Sequence, residues 1–335
     1  LLRCADWLGT AKEQGYEKQK KQINRCRREM SSFRRGSSWI LSAGRMSGSG
    51  NPLDIFMDYL RMALHLDLIK FNHMLFQIRE HRQTIDRLLE AMGALECSLA
   101  IGAYRASLQN WCVPEEGTFL QAQNVTHPLL TDPVPNSISA PRGVLLTGSN
   151  ASGKSTFLKT VAINAIFAQT IHTCLAAQYS GPLFYIYSSM ALRDDLKSQE
   201  SYYIVEIKSI KRILDKNREV PGRVLCFVDE VLRGTNTVER IAASTQILKA
   251  LASEGAICFA ATHDIELAEL LRKEYDNYHF EEEIRDGDVC FSYQLKEGKA
   301  TTRNAIRLLG VMGYSGQLIQ DAEEMSARFL KDGIW

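Results

Sequence analysis

The sequence has few of the features that mark secreted, metal-bound or membrane proteins. Its eight cysteines never form a C-x-x-C pair, and several lie inside apolar runs such as residues 224–228. This pattern argues against a disulfide framework or a cysteine-based metal site and favours a reducing compartment. No apolar run approaches the roughly 18 residues that a spanning helix needs, and the N-terminus has no signal pattern. We therefore expect a cytoplasmic protein without a membrane partner.

The chain also has almost no net charge, because 40 basic side chains are balanced by 39 acidic ones over 335 residues. The balance is uneven along the chain. Residues 1–50 hold eleven basic and four acidic residues, a net of +7, so the remaining residues carry a net of −6. A basic arm on a mildly acidic body is typical of contact with nucleic-acid phosphates. A solvated helix face is the alternative, and composition leaves both open.

Proline is scarce outside one stretch, because five of the eight prolines lie in residues 113–141. We expect a connector there, between two parts of different texture. Residues 1–112 are predicted to be helical. They comprise a basic arm over residues 1–50 that reaches away from the core, a Gly/Ser-rich break over residues 42–52, and at least two long helices.

Residues 142–335 alternate short apolar runs with amphipathic stretches. This alternation predicts an α/β fold with a mixed, mostly parallel sheet flanked by helices. Strands are predicted at residues 144–146, 224–228 and 256–261, with helices between them. The C-terminal tail over residues 304–329 is again predicted to be helical.

A glycine-rich loop with the pattern G-x-x-x-x-G-K-[ST] follows the first of these strands and precedes a helix. Its backbone N–H groups and the helix N-terminus are suited to phosphates, which predicts a nucleoside triphosphate site in a P-loop fold. Lys154 is expected to reach the β- and γ-phosphates, and Ser155 to bind Mg²⁺ through its hydroxyl. The predicted nucleotide-binding residues of the loop are Gly148, Ser149, Asn150, Ala151, Ser152, Gly153, Lys154, Ser155 and Thr156.

Polar side chains also follow the other two predicted strands. Asp229 and Glu230 end the second strand, and we assign Asp229 to Mg²⁺, directly or through water, and Glu230 to polarising the attacking water. His263 follows the third strand, where ligands bind in open α/β sheets, so we expect it to sense the γ-phosphate or to orient water. Lys154, Glu230 and His263 are therefore the predicted catalytic residues.

Ser201 opens a further predicted helix, which runs to about Leu214. Its hydroxyl could cap its own helix, as serine commonly does. Alternatively, this helix N-terminus points at the γ-phosphate of a nucleotide held by a second subunit. The residues alone leave both interpretations open.

Taken together, these motifs resemble those of the MutS family of DNA mismatch-repair ATPases, whose ATPase domain belongs to the ABC class. The resemblance spans roughly residues 54–330. The glycine-rich loop is similar to the family's loop, residues 229–237 resemble its Asp-Glu-x-x-Arg-Gly-Thr segment at the dimer interface, and residues 261–263 resemble its Ala-Thr-His switch. Further similar segments are His127-Pro128 with Asn136, Ile85 to Arg105 at the end of the lever region, and Asp194-Asp195-Leu196 with Ser201 to Glu206.

The resemblance implies an Mg²⁺-dependent ATPase that uses ATP and acts as a homodimer through its ATPase domain on duplex DNA, either mismatched or branched. It also implies that Asn136 contributes to the nucleotide site, that Ser201 acts in trans and that Asn236 lies at the dimer interface. ATP binding would then close the dimer, the lever-like helical region would transmit the closure, and hydrolysis would reset it. In a bacterium, such a protein is expected at the nucleoid.

The sequence departs from the family's pattern in three places. Many members place an aromatic residue against the adenine where this chain has Pro133 and Val134, and Tyr202 stands where threonine is usual. The mismatch-reading domain with its Phe-x-Glu wedge is absent from these residues, and we interpret Phe280-Glu281-Glu282 as a coincidence of letters.

These departures leave two origins and two functions open. The chain is either a truncated mismatch-repair protein or, as we favour, a MutS-like paralogue that never had the mismatch-reading domain. The alternative function is a nucleotide-gated DNA clamp or recombination suppressor that does not read mismatches. A transporter ATPase is disfavoured because the Leu-Ser-Gly-Gly-Gln signature is missing.

Overall fold

The chain folds into two compact units, Leu1–Ser107 and Leu108–Trp335, which we call the helical unit and the α/β unit. The computed structural model describes residues 2–10, 15–31, 33, 59–60, 62–149, 152–190, 202–233, 235–285, 288–300, 306, 309–310 and 312–332. The predicted Gly/Ser-rich break at residues 42–52 lies outside this described part.

The helical unit contains four described helices. They are α1 (Leu2–Thr10), α2 (Glu17–Glu29), α3 (Leu66–Glu80) and α4 (Arg82–Ser107). The two long helices α3 and α4 agree with the helical spacing of the apolar residues in this region. Within the described residues, no helix is both long enough and apolar enough to cross a membrane.

The basic segment at the N-terminus does not reach away from a core, so that expectation is wrong. Its helix α2 buries Ile23 and Cys26, which share a core cluster with Leu88 and Ala91 of α4. The apolar residues of α2 recur every three or four positions, so one face of an otherwise polar helix can pack. Glu29 reinforces the contact, because its carboxylate accepts hydrogen bonds from Thr84 of α4 (2.8 Å) and from the Arg87 side chain (3.2 Å).

The α/β unit is built from ten strands and five described helices. They are β1 (Glu115–Glu116), β2 (Leu120–Val125), β3 (Asn136–Ala140), β4 (Gly143–Thr147), α5 (Lys154–Thr170), β5 (Gln178–Gly181), β6 (Phe184–Ser189), α6 (Tyr202–Glu219), β7 (Arg223–Asp229), α7 (Thr237–Ser253), β8 (Ile257–Ala261), α8 (Ile265–Leu270), β9 (Tyr275–Arg285), β10 (Asp288–Glu297) and α9 (Gly316–Asp332). The larger sheet has the order β10-β9-β4-β8-β7-β6. Its first pair is antiparallel and all its other neighbours are parallel, as predicted for a mixed, mostly parallel sheet.

The central strands of this sheet are buried on both faces. Every residue of β4 and β8 is buried, which matches their continuous apolar sequences and the covering of both faces by helices. Two core clusters result, one that contains Leu146 and Phe259 and one that contains Leu145 and Cys258. The predicted strands at residues 144–146, 224–228 and 256–261 are thus confirmed as β4, β7 and β8.

Residues 113–141 differ from the expected connector, because they form strands β1, β2 and β3. These strands join β5 in a second sheet of order β1-β5-β2-β3. The prolines misled the prediction because they lie beside the strands: Pro128, Pro133 and Pro135 fall in the connection between β2 and β3. There, proline ends a strand without removing a hydrogen bond from the sheet.

The eight cysteines, all within the described residues, are free thiols. Cys226 and Cys258 are paired in register on the neighbouring strands β7 and β8 and are fully buried. Burial of this kind is the usual environment of structural cysteines.

Candidate functional site

The predicted chemical residues converge on one edge of the larger sheet. The glycine-rich loop follows β4, Asp229 ends β7 and His263 follows β8, and these three strands are parallel neighbours in the order β4-β8-β7. Carboxyl ends of parallel strands meet at the same edge, which is where ligands bind in such sheets. Backbone hydrogen bonds tie the edge together, from Thr262 N to Leu146 O and from Glu230 N to Ala261 O, each 2.9 Å.

The glycine-rich loop needs glycine at both of its ends. Gly148 has a φ of 144° and Gly153 a φ of 110°, a left-handed region that L side chains rarely adopt. A Cβ on Gly148 would also lie 2.7 Å from the backbone oxygen of Phe280. Asn150 and Ala151 lie outside the described residues.

Lys154 is folded back onto the loop. Its Nζ donates to the carbonyls of Gly148 (2.8 Å) and Ser149 (2.6 Å), and the residue is only 5% exposed. Burial lowers the pKa of Lys154 to about 8, although Glu230, Asp229 and Glu282 each act in the opposite direction. The ammonium group is therefore held inside the loop and surrounded by carboxylates.

Glu230 follows β7 in a left-handed conformation, with a φ of 58°. Such a conformation in a non-glycine residue is strained and is typical of functional sites. One carboxylate oxygen lies 2.7 Å from His263 Nε2, and the other forms an ion pair with Arg233, 2.9 Å from its Nε. The structure thus brings together the predicted pair Glu230 and His263 and adds Arg233 to it.

Two polar atoms in this site are buried and have no hydrogen-bond partner among the described residues. They are Oδ1 of Asp229 and Oγ of Ser152. An orphaned carboxylate oxygen suits a cation, and an orphaned hydroxyl in a phosphate-binding loop suits an anion. No described group of three or more His, Cys, Asp or Glu side chains could hold a metal by itself. Together with Ser155, Asp229 therefore fits a Mg²⁺ ion that takes its other ligands from phosphates and water.

A cavity of about 500 Å³ adjoins the loop. Its walls include Ser155 and Thr156 of α5, and Pro133 and Val134 of the segment before β3. Its volume is within the range of small-molecule sites.

Tyr293 completes this cavity, and the sequence did not indicate it. It lies where the register of β9 and β10 shifts, between Phe291 and Leu295, and its φ is 53°. The bulge turns the Tyr293 ring towards the cavity, where it stays 46% exposed. The chain thus has an aromatic wall even though Pro133 and Val134 replace the expected aromatic residue.

Asn136 holds the walls of the cavity together. Its Nδ2 donates to the carbonyls of Val134 (3.3 Å) and Tyr293 (3.0 Å), and its Oδ1 accepts from Leu295 N at 2.7 Å. Its amide is therefore engaged by backbone groups of β10 and of the segment before β3, and Asn136 shapes the predicted nucleotide site rather than offering a free amide to it.

Asn236 has a role within its own chain. Its side chain accepts a hydrogen bond from Glu239 N at 3.0 Å and so caps α7. This intrachain cap does not test the place of Asn236 at a dimer interface, which stays a prediction. Ser201 and Gly234 lie outside the described residues, so the choice between a cap and a trans role for Ser201 stays a prediction.

Glu206 supports the turn that follows Glu230, a role that the sequence did not indicate, although Glu206 ends the Ser201 to Glu206 segment named above. It is 2% exposed and accepts from Leu232 N at 2.5 Å, which anchors the left-handed turn after Glu230. Burial raises the pKa of Glu206, against hydrogen bonds from the backbone of Leu232 and Arg233.

The Phe280-Glu281-Glu282 segment lies in β9, directly behind the loop. Phe280 is 2% exposed and packs edge-on against Phe157, with ring centroids 5.8 Å apart. A ring buried in this way cannot insert into DNA, so the interpretation of these letters as a coincidence is consistent with the structure.

Comparison of the chain with known proteins also finds similarity to the MutS family. The family model of MutS domain V matches residues 144–330. The human MutS protein homolog 4 is 27% identical over 291 residues, which are 81% of this chain and 31% of that protein. The DNA mismatch repair protein MutS of Thermus aquaticus is 31% identical over 217 residues, 63% of this chain and 26% of that protein. Its counterpart in Pseudothermotoga lettingae is 33% identical over 218 residues, 62% of this chain and 26% of that protein.

The matched family region contains the glycine-rich loop and the residues at the ends of β7 and β8. The chain matches no more than about a third of the length of these relatives.

Proposed function

Since the chain belongs to the MutS family, we propose that it is a Mg²⁺-dependent ATPase, of the ABC class, whose nucleotide state is coupled to DNA binding. The observation that carries this proposal is the convergence of the loop, Asp229, Glu230 and His263 on one sheet edge beside a cavity of about 500 Å³. Phosphoryl transfer needs little from a protein beyond positioning and electrostatic stabilisation, and these groups can supply both.

In this proposal the loop holds the phosphates of ATP. The backbone N–H groups of the loop and the N-terminus of α5 would face them, and Lys154 would move from the loop carbonyls to the β- and γ-phosphates. Ser155 and Asp229 would hold Mg²⁺, which would supply positive charge to stabilise the phosphates during the reaction. The orphaned Oδ1 of Asp229 supports this role.

Glu230 then polarises the attacking water. His263, 2.7 Å from the Glu230 carboxylate, orients that carboxylate and senses whether the γ-phosphate is present. Arg233, which also contacts Glu230, keeps its second oxygen in place.

Tyr293 stacks against the adenine. A phenol ring on the cavity wall can lie flat on a purine, and such stacking is tolerant of which base is present. Pro133 and Val134, which also line the cavity, would provide apolar contacts to the base.

The DNA partner is supported by the charge pattern of α2. Lys18, Lys21, Arg25 and Arg28 are all exposed, and at 100° and 1.5 Å per residue they share an arc of about 80° over about 15 Å. This arc lies opposite the face that buries Ile23. A row of cations on a helix surface can neutralise successive phosphates along a strand, so we assign DNA contact to this basic stripe.

The experiment that tests the ATPase compares Lys154→Ala and Glu230→Gln with the unchanged chain. Glu230→Gln is expected to bind ATP but to lower turnover by about 100-fold or more, because the general base is lost. Lys154→Ala is expected to lose ATP binding as well. Unchanged turnover in Glu230→Gln, measured as phosphate release with Mg²⁺, would contradict the assignment.

The choice between mismatch repair and a DNA clamp or recombination suppressor depends on the DNA that the protein prefers. Binding to intact, mismatched and branched duplexes at one stated salt concentration separates the two. A preference for the mismatched duplex would support mismatch reading.

A further inference from the structure

Glu282 is a buried carboxylate that the proposed function leaves unused. It lies on β9, opposite Phe291 of β10, and is 6% exposed. Its Oε2 accepts a hydrogen bond from the hydroxyl of Ser149, the second residue of the glycine-rich loop. A carboxylate is rarely buried to this extent unless it is paired, and here its partner belongs to the phosphate-binding loop.

Ser149 is held on two sides. Its hydroxyl is bound by Glu282, and its carbonyl accepts from Lys154 Nζ at 2.6 Å. The Lys154 ammonium can reach phosphates only by leaving the loop carbonyls, so it has to move away from Ser149 when a nucleotide binds. The contact between Ser149 and Glu282 thus belongs to the empty form of the loop, in which Lys154 is bound to the loop carbonyls.

The charge of Glu282 acts in the same direction. Glu282 is one of three carboxylates, with Asp229 and Glu230, that interact with the Lys154 ammonium through space. Asp229 is assigned to Mg²⁺ and Glu230 to water, whereas Glu282 lies behind the loop and gains no such partner when phosphate arrives. Two negative groups near one buried ammonium repel each other with little screening by water.

We propose that Glu282 is a positioning residue that latches the empty loop through Ser149 and so lowers the affinity of the site for nucleoside triphosphates. This inference rests on the proposed nucleotide site. Its consequence is that the site releases nucleotide more readily than the loop sequence alone would suggest.

The test measures the affinity for Mg·ATP and Mg·ADP by titration calorimetry in the full chain. Glu282→Gln keeps the shape of the side chain but removes the charge, so the hydrogen bond from Ser149 loses its charge assistance and becomes weaker. We expect ATP to bind about tenfold more tightly to this variant. The affinity for ADP should increase less, because ADP lacks the γ-phosphate, which would lie nearest to Lys154.

A second variant changes Ser149, the other residue of the contact with Glu282. Ser149→Ala frees the loop but leaves the carboxylate, so it should tighten ATP binding by less than Glu282→Gln does. If both changes act through one contact, the double variant binds ATP within about twofold of the tighter single variant. Fully additive effects would overturn the latch.

Glu281→Gln is the matched control. Glu281 points to the other face of β9, where it contacts His279 (2.8 Å) and Lys296 (2.6 Å). Its change should leave ATP affinity as it is. Thermal unfolding of each variant is measured in parallel, because a general loss of structure would weaken binding, whereas the latch predicts tighter binding.

The outcomes separate the two proposals. If the unchanged chain and Lys154→Ala both fail to bind ATP, the proposed function is wrong. If the unchanged chain binds ATP and Glu282→Gln binds it equally or more weakly, the nucleotide site stands and the latch is overturned.

Discussion

At the scale of single residues, Glu206 shows how the site depends on groups that never meet the ligand. Its carboxylate, on α6, holds Leu232 N and so fixes the turn that follows Asp229 and Glu230. Its second oxygen is buried without a hydrogen-bond partner among the described residues. A charged carboxylate in that place is costly, which agrees with the raised pKa of Glu206.

This leads to a pH-dependent prediction for stability. A carboxylate with a raised pKa in the folded state contributes stability at low pH, and this contribution is lost as the pH rises through the folded-state value. We therefore expect the free energy of unfolding of Glu206→Gln, relative to the unchanged chain, to increase as the pH rises from about 4.5 upwards.

Urea unfolding of both chains at several pH values between about 4 and 7 checks this prediction. Because the glutamine side chain would keep an oxygen for Leu232 N, the turn should stay intact in the variant. A difference in stability that is the same at every pH would contradict a charge effect and would point to packing alone.

At the scale of elements, α2 combines a packed face with the basic stripe defined above. Ile23, Cys26 and Met30 are buried, so the helix is fixed in the helical unit and the four cations project to the opposite side. Arg25 lies 3.1 Å from the carboxylate of Glu29. Because Glu29 also binds Thr84 and Arg87, it neutralises Arg25 only in part, and the stripe stays positively charged.

Replacing all four cations of the stripe by glutamine is expected to weaken DNA binding for every sequence to a similar degree. It should also reduce the slope of log K against log salt by about one unit for each phosphate contact that is lost. Fluorescence anisotropy with one labelled duplex at several salt concentrations measures both quantities.

The control for this prediction replaces Lys208, Lys211 and Arg212 of α6, on the α/β unit, by glutamine. An equal loss of DNA affinity in both variants would show that only net charge matters, and the assignment of the stripe would fail. Glutamine preserves helix propensity, so unfolding of α2 does not confound the comparison.

At the scale of the whole molecule, we expect two chains to form composite nucleotide sites. The resemblance places the Ser201 helix and the segment around Asn236 at that interface. Because bound ATP would contact both chains, it should favour the dimer by mass action.

Sedimentation velocity tests this prediction with the Glu230→Gln chain, which is expected to hold ATP without hydrolysing it. The dimer fraction should rise when Mg·ATP is added and should not change when Lys154→Ala is used instead. The same sedimentation profile with and without ATP would contradict ATP-gated closure of a dimer.

The sequence by itself determined three central strands of the larger sheet and the candidate site residues that follow them, because both are contained in contiguous patterns. Apolar runs at residues 144–146, 224–228 and 256–261 can be stable only as buried parallel strands, and the motif after each run then falls on one edge. Lys154, Asp229 and His263 could be found in this way. The strands of residues 113–141 could not be found in this way. Their sequences are short and half polar, and the prolines in the turn between them indicated a connector instead.

Only the tertiary structure decided which other residues contact the glycine-rich loop and its cavity. Glu282 and Ser149 are 133 residues apart in the chain, and Tyr293 is 157 residues from the Asn136 amide that binds its carbonyl. The first contact depends on the parallel pairing of β9 with β4, and the second depends on the antiparallel addition of β10 and on the bulge in β10. No local pattern specifies either pairing. The chemistry of the site is therefore local in sequence, whereas the shape of its cavity and the latch on its loop arise from the pairing of distant strands.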